Sequence, residues 1–322
     1  MCSSIPVPKV YGYCTDREKS GVNAEYILME KINGEPLKYL WKKMLPAEKS
    51  FILEQLAEIY GKIQKITFSQ IGSFQLESSI GDTGGIGLDP QQDIEPEHNL
   101  VVGKGIDFHG GPCDTYLEYF KSSAKTEIEF LRTCPFMREA EGYEKRLERI
   151  ENFVAAFNNL ESVPESMREA VVDVPFVFTH GDLEPQNILV DEETMKVTGI
   201  IDWEFSGASP VDEDWFCSFA FAGSDTSVWR VFNEDPSNGD DCFDQEMLKP
   251  LREYFLEQLK TKEVLTPDDI PGHMIRSELF YFKGYICPWW LREKRDPRPE
   301  RHYRDRDDAC NRVDAILSKH GF

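Results

Sequence analysis

With 322 residues, 40% of them hydrophobic and 29% charged, the chain has the composition of an ordinary globular protein and ample length for a core. A net charge of −22 argues against nucleic acid as a partner, and no apolar run approaches the ~20 residues that span a bilayer, so neither nucleic acid nor membrane is expected. The eight cysteines show no C-x-x-C spacing and Met1 to Val10 lacks the basic and apolar regions of a signal peptide, so a cytoplasmic protein with reduced core thiols is the expectation.

Ile5 to Tyr13 reads as an extended lead-in and a strand, because Pro6 and Pro8 exclude a helix. Glu25 to Ile32 is a second strand, closed by the turn residues Asn33, Gly34 and Pro36. From Ala47 to Thr67 the period turns helical, with Ile52, Leu56, Ile59, Tyr60, Ile63 and Ile66 on one face. Phe68 to Pro112 is Gly-rich, polar and irregular, with Ser73 to Leu76 and Leu100 to Val102 able to pair across it. Gly81 to Gly87 is followed by Asp89, Asp93, Glu95 and Glu97, which would repel phosphate, so it reads as a surface loop rather than a phosphate cradle. His98 and His109 have no partners at ligand spacing. Asp114 is placed to cap a helix through Leu131, and Glu144 to Leu160 forms another, with Leu147, Ile150, Phe153, Val154 and Phe157 on one face.

The chemistry-bearing stretch runs from Phe176 to Glu204. Phe176 to Thr179 is a strand, and a polar loop H-G-D-L-E-P-Q-N follows from His180. Ile188 to Val190 and Val197 to Ile201 then form a hairpin around the turn residues Asp191 to Lys196 and end on Asp202. Asp182, Asn187 and Asp202 are oxygen donors suited to metal-phosphate chemistry, set at the ends of strands. Gly207 and Pro210 break the chain, and helical spacing resumes over Val211 to Phe221. Gln245 to Leu259 and Met274 to Arg292 are amphipathic helices. Trp289 and Trp290 could stack a substrate ring, although aromatic residues at this density usually fill a core. Arg292 to Arg306 reads as an exposed tail segment, and Ala309 to Leu317 as a last short helix.

The order His180-x-Asp182-x4-Asn187, followed by I-I-D-W-E ending at Glu204, resembles the aminoglycoside phosphotransferase and choline kinase branch of the protein-kinase-like fold, which writes H-G-D where protein kinases write H-R-D. The resemblance implies an α+β fold with a mostly helical C-terminal lobe over residues 35–322. Residues 1–34 would be the remnant and hinge of a truncated nucleotide lobe. It implies a small-molecule O-phosphotransferase that uses ATP and Mg²⁺. Asp182 would accept the proton of the substrate hydroxyl, with His180 bracing the loop. Asn187 and Asp202 would hold Mg²⁺, and the Glu30 carbonyl and Ile32 amide would bind adenine. Asp214 matches by position an acid that caps the catalytic loop in such folds, and fits equally a first-turn helix acid. The acidic chain is compatible with a cationic hydroxyl substrate. The Gly-rich loop and the clamping Lys of that fold have no counterpart before Ile5, so a non-catalytic pseudokinase or truncated binding module is the alternative. A hydrolase using Asp182 as base ranks last, because no G-x-S-x-G motif is present.

Overall fold

A computed structural model describes residues 5–14, 16–76, 100–104, 110–163, 165–171, 174–217, 245–292 and 298–322. The predicted loop Gly81 to Gly87, His98 and His109 lie outside the described residues, as does the part of the Val211 to Phe221 segment beyond Cys217.

The chain opens with an antiparallel hairpin, β1 (Val10–Cys14) with β2 (Tyr26–Met29), bulged between Val10 and Gly12. The hairpin is tethered at its base. The Ile200 amide donates to the Pro6 carbonyl at 2.7 Å, and the Glu30 amide to that of Lys9 at 2.7 Å. Beyond the base it is bare: Val10, Tyr11, Tyr26, Ile27, Leu28 and Met29 are all exposed, with Ile27 at 61% and Leu28 at 58%. Alternate residues of a strand point to opposite faces, so both faces of β2 are open among the described residues, and β1 is covered only toward its end, where Cys14 is buried. Two strands alone are at best marginally stable in water. The exposed edges and apolar faces should therefore drive self-association. The charge of −22 opposes it at low salt, because like charges repel until the Debye length falls to ~8 Å. Sedimentation should show mass rising with protein and salt concentration, and Ile27→Lys with Leu28→Glu should return the monomer. A wild-type chain that stays monomeric at ~100 µM in 0.5 M salt contradicts this expectation.

Next, β3 (Glu35–Pro36) pairs with β8 of the hairpin formed by β8 (Ile188–Asp191) and β9 (Lys196–Ile200). Helix α1 (Pro46–Gln64) begins with Pro46 at its first position, where no amide partner is lost. It buries Ile52, Leu56, Ile59, Tyr60 and Ile63, the face the sequence predicts, and ends three residues earlier, where Thr67–Phe68 become strand β4. β5 (Phe74–Leu76) and β6 (Leu100–Val102) pair antiparallel, as their strand-like character suggests. β7 (Phe176–Thr179) lies between β4 and β10 (Gly207–Pro210). Gly207 and Pro210 do not break the chain as their composition suggests. Those residues pair with Thr179 through Phe176, and Pro210, which has no amide to donate, stands on an outer strand where none is required for pairing.

The longer helices that follow among the described residues are α2 (Tyr116–Thr133), α3 (Tyr143–Ala156), α4 (Gln245–Thr261), α5 (His273–Ile286) and α6 (Glu300–Lys319). The cap of α2 is Thr115, which accepts the Glu118 amide, and not Asp114, whose carboxylate takes the Gln70 side chain instead. α5 stops at Ile286, two residues before Pro288, and a separate turn, Trp289–Arg292, follows. Trp289 is 68% exposed, which removes it from the core. α6 is a continuous twenty-residue helix where the sequence suggests an exposed tail and a short helix. Its first turns are held by contacts that local pattern does not show: the Tyr303 ring meets Phe136 edge-on at 5.0 Å, and the Arg306 guanidinium stands 4.9 Å over the same Phe136 ring. Further along the helix, Arg146 and Arg149 pair with Asp314 at 2.8 and 2.5 Å.

Among the described residues two hydrophobic cores result. One lies among α2, α3, α5 and α6, with Phe120, Phe153, Phe157 and Phe282 at its centre. The other joins α1 and α4 to β7, β8 and β9 through Leu56, Ile63, Val177, Ile188, Ile200 and Phe255. The predicted loop and hairpin sit over this second core.

Candidate active site

β7 is buried at Phe176, Val177 and Thr179 and delivers His180 into the interior, fully buried. The Asp182 amide donates to His180 Nδ1 at 3.2 Å, so Nδ1 is an acceptor and the proton sits on Nε2, which reaches the Ile201 carbonyl at 3.1 Å. Burial lowers the His180 pKa and keeps the ring in this neutral form, outweighing the Ile201 carbonyl, Asp182 and Asp202, which favour the charged one. One imidazole thus ties the loop to the end of β9. The Trp203 ring packs 4.4 Å from it, and the Trp203 indole donates to the Ile200 carbonyl at 3.0 Å.

Gly181 turns the chain with φ +82, and a Cβ there would lie 2.6 Å from the Phe205 carbonyl oxygen, so only glycine fits. Asp182 follows, half-buried. The turn Pro185–Asn187 then brings Asn187 back over it. Asn187 Nδ2 donates to the Asp182 carbonyl at 2.8 Å and to Asp182 Oδ2 at 2.9 Å. Both amide protons are thereby used, and Oδ1 carries no hydrogen bond among the described residues.

The hairpin brings Asp202 to the same place. Its turn is fixed by Asp191, whose Oδ1 accepts the Thr194 amide and hydroxyl at 2.8 and 2.7 Å. Ile188 pairs with Ile200, and the Ile201 amide donates to the Asn187 carbonyl at 3.0 Å. Asp202 is the next residue, exposed, in a left-handed conformation with φ +66 and ψ 57. Asp tolerates that region better than most side chains, at some strain.

Asp214, fully buried, holds the loop from below. Its two oxygens accept the Gly181 amide at 2.9 Å and the His180 amide at 3.3 Å. Burial pushes its pKa up to about 6 from 3.8, against the pull of the Gly181 and His180 amides and the Tyr60 hydroxyl. The folded state therefore takes up a proton at Asp214 between pH 3.8 and about 6. Its contribution to stability falls as pH rises through that window and is constant above it. Two pKa units correspond to roughly 3 kcal/mol at most. Thermal unfolding from pH 4 to 7 should show this slope in the wild type relative to Asp214→Asn; parallel curves would refute it.

The structure therefore joins His180, Asp182 and Asn187 in one hydrogen-bonded loop and sets Asp202 one residue beyond its tie to β9. Glu30 and Ile32 stand at the base of the β1–β2 hairpin, Ile32 against β9. Glu30 Oε2 accepts the Lys9 amide at 3.2 Å, and Ile32 covers Gly199, where a Cβ would meet Ile32 Cγ2 at 3.0 Å. Neither the Glu30 carbonyl nor the Ile32 amide is hydrogen-bonded among the described residues. Of the supports, Tyr60 carries no sequence signal beyond its place on the apolar face of α1, and Trp203 stands in the I-I-D-W-E run without anything there to show that its ring packs on His180. Among the described residues there is no group of three or more His, Cys, Asp or Glu at metal-ligand spacing, and no helix long and apolar enough to cross a membrane.

A helical lobe that carries an acid-clamped H-G-D loop beside a strand hairpin defines a protein-kinase-like α+β fold. The comparisons with known proteins agree. The structure is similar to a Ralstonia eutropha protein assigned to the aminoglycoside phosphotransferases, with a TM-score of 0.52 and 14% identity over 99% of this chain and 80% of that one. It is also similar to APH(2'')-IIa in its ternary complex with streptomycin and ATP, with a TM-score of 0.50 and 14% identity over 97% of this chain and 77% of that one. Among curated sequences, subtelomeric hrmA-associated cluster proteins of two Aspergillus fumigatus strains are 32% identical over 125 residues. That match covers 39% of this chain and only about a fifth (21%) of theirs. The model of the phosphotransferase enzyme family matches residues 2–235. The chain belongs to that family.

Proposed function

We propose that the chain is a small-molecule O-phosphotransferase that moves the γ-phosphoryl group of ATP to a substrate hydroxyl with Mg²⁺. The observation that carries this reading is the Asn187 amide, which spends its nitrogen on Asp182 and leaves Oδ1 for a cation. Asn187 Oδ1 and the Asp202 carboxylate are hard oxygen donors, the chemistry Mg²⁺ prefers. They would hold the ion, which would neutralise charge on the transferring phosphoryl group. Asp182 would take the hydroxyl proton. Asn187 bonds one carboxylate oxygen, Oδ2, and thereby fixes its orientation, while the neutral His180 and the Asp214 clamp keep the loop from swinging. Residues 1–34 would belong to a nucleotide lobe and its hinge, with the Glu30 carbonyl and Ile32 amide facing adenine. The surplus of acids suits a cationic acceptor, and a cytoplasmic location fits the ATP supply.

The bare β1–β2 hairpin favours a second reading, a binding module without turnover. Two or three backbone hydrogen bonds to adenine are worth about 1 kcal/mol each, too little to replace charged groups that grip a triphosphate. Calorimetry on the 322-residue chain should therefore give a Kd for Mg²⁺-ATP in the millimolar range, and low-micromolar binding would contradict that. Transfer of label from γ-labelled ATP to aminoglycosides or amino alcohols, dependent on Mg²⁺, tests the enzyme. No transfer to any hydroxyl compound at saturating ATP would leave the binding module.

A further inference from the structure

Asp212, Glu213 and Asp214 are three consecutive carboxylates, and each is bonded to a different part of the fold. Side chains one residue apart in a helical turn diverge by ~100°, so the run can reach three ways at once. Asp214 takes the amides of the Asp182 loop, as described. Glu213 Oε1 accepts the Tyr119 hydroxyl of α2 at 2.6 Å. Asp212 turns to α5, where Arg276 Nε and Nη2 lie 2.8 and 2.7 Å from its Oδ2.

Asp212 and Arg276 are both fully buried. The guanidinium also donates to the Pro271 carbonyl at 2.6 Å and the Ala170 carbonyl at 3.4 Å, and stands 5.7 Å over the Tyr116 ring. His273 Nδ1 approaches the same Asp212 oxygen at 3.4 Å. A buried ion pair is seldom the most stable filling for such a place, because well-packed apolar side chains often do as well or better. The pair supplies direction. A planar fork fixed by two carbonyls grips the single oxygen Oδ2 with two of its nitrogens, while Oδ1 is buried with no hydrogen bond among the described residues, and that grip sets where residue 212 sits. Asp214 is two residues further on, in the same turn, since the Trp215 amide bonds the Asp212 carbonyl at 3.1 Å.

The geometry points to Arg276 as a positioning residue for the Asp182 loop, acting through Asp212 and Asp214 and touching neither substrate nor nucleotide. Its effect on turnover rests on the phosphotransferase reading. Its effect on the loop does not, and the two are measured separately.

Arg276→Met alone would leave a buried unpaired Asp212 and can fail to fold, so the informative variant is Asp212→Leu with Arg276→Met, which removes both charges. It should unfold cooperatively near the wild-type temperature. The amides of His180 and Gly181, followed by hydrogen exchange, should exchange about tenfold faster, because their acceptor is no longer held in register. In a chain that turns over, kcat should fall about tenfold with KM unchanged. Arg276→Lys, which keeps the charge and loses the fork, should lie between the two and serves as the deciding variant should the double one not fold. Wild-type exchange at Gly181 in a folded variant would make the ion pair merely structural and overturn the assignment. Failure of the wild type to transfer phosphate would refute the phosphotransferase reading, and the exchange measurement would still decide the role of Arg276.

Discussion

Asp182→Ala should lower kcat by about 10²–10⁴-fold while leaving the KM of the acceptor nearly unchanged, the range expected when a general base is removed. The loop should survive the change. Asn187 Nδ2 loses the carboxylate oxygen at 2.9 Å but keeps the residue 182 carbonyl at 2.8 Å, and the amide of residue 182 still reaches His180. The Asp214 clamp is built from the amides of residues 180 and 181 and is untouched. The variant therefore isolates the carboxylate, which acts in the transition state more than in substrate binding. Steady-state rates against acceptor concentration give the answer. A loss of less than about threefold would remove Asp182 from the chemistry, and an equal loss through KM would assign it to acceptor binding.

Asp202 is expected to show opposite effects on stability and on binding. As a non-glycine residue at φ +66 it holds a strained backbone, and Asp202→Gly should relieve up to about 1 kcal/mol of that strain. The same change removes a charged donor, and the affinity for Mg²⁺-nucleotide should drop by at least about tenfold, with kcat falling as well. Asp202→Asn tolerates the left-handed region and keeps an oxygen, so it should bind better than the glycine variant without matching wild type. Denaturant unfolding beside calorimetry at several Mg²⁺ concentrations separates the two signs. A glycine variant that binds Mg²⁺-ATP as tightly as wild type would exclude Asp202 as a ligand. One that loses stability as well would show that its carboxylate serves the fold.

The sequence alone determined the central frame, because there the signals are local. The alternation of β-branched and apolar residues over Phe176 to Thr179, the turn chemistry of Asp191 to Lys196 and the spacing of His180, Asp182 and Asn187 each arise within a few residues, and the family follows from them. The period of α1 was legible for the same reason. What only the tertiary structure decided depends on partners far apart in the chain. Gly207–Pro210 has the composition of a break and becomes a strand because β7 offers it an open edge. The charged start of α6 is helical because the Phe136 ring, more than 150 residues upstream, receives Tyr303 and Arg306. Asp214 could be either a helix acid or a loop clamp until the fold laid it under His180 and Gly181. The ion pair of Asp212 with Arg276 joins residues 64 apart, and neither carries a local mark. Sequence patterns report what a segment prefers by itself, whereas a buried charge is assigned a role only by the groups that close around it.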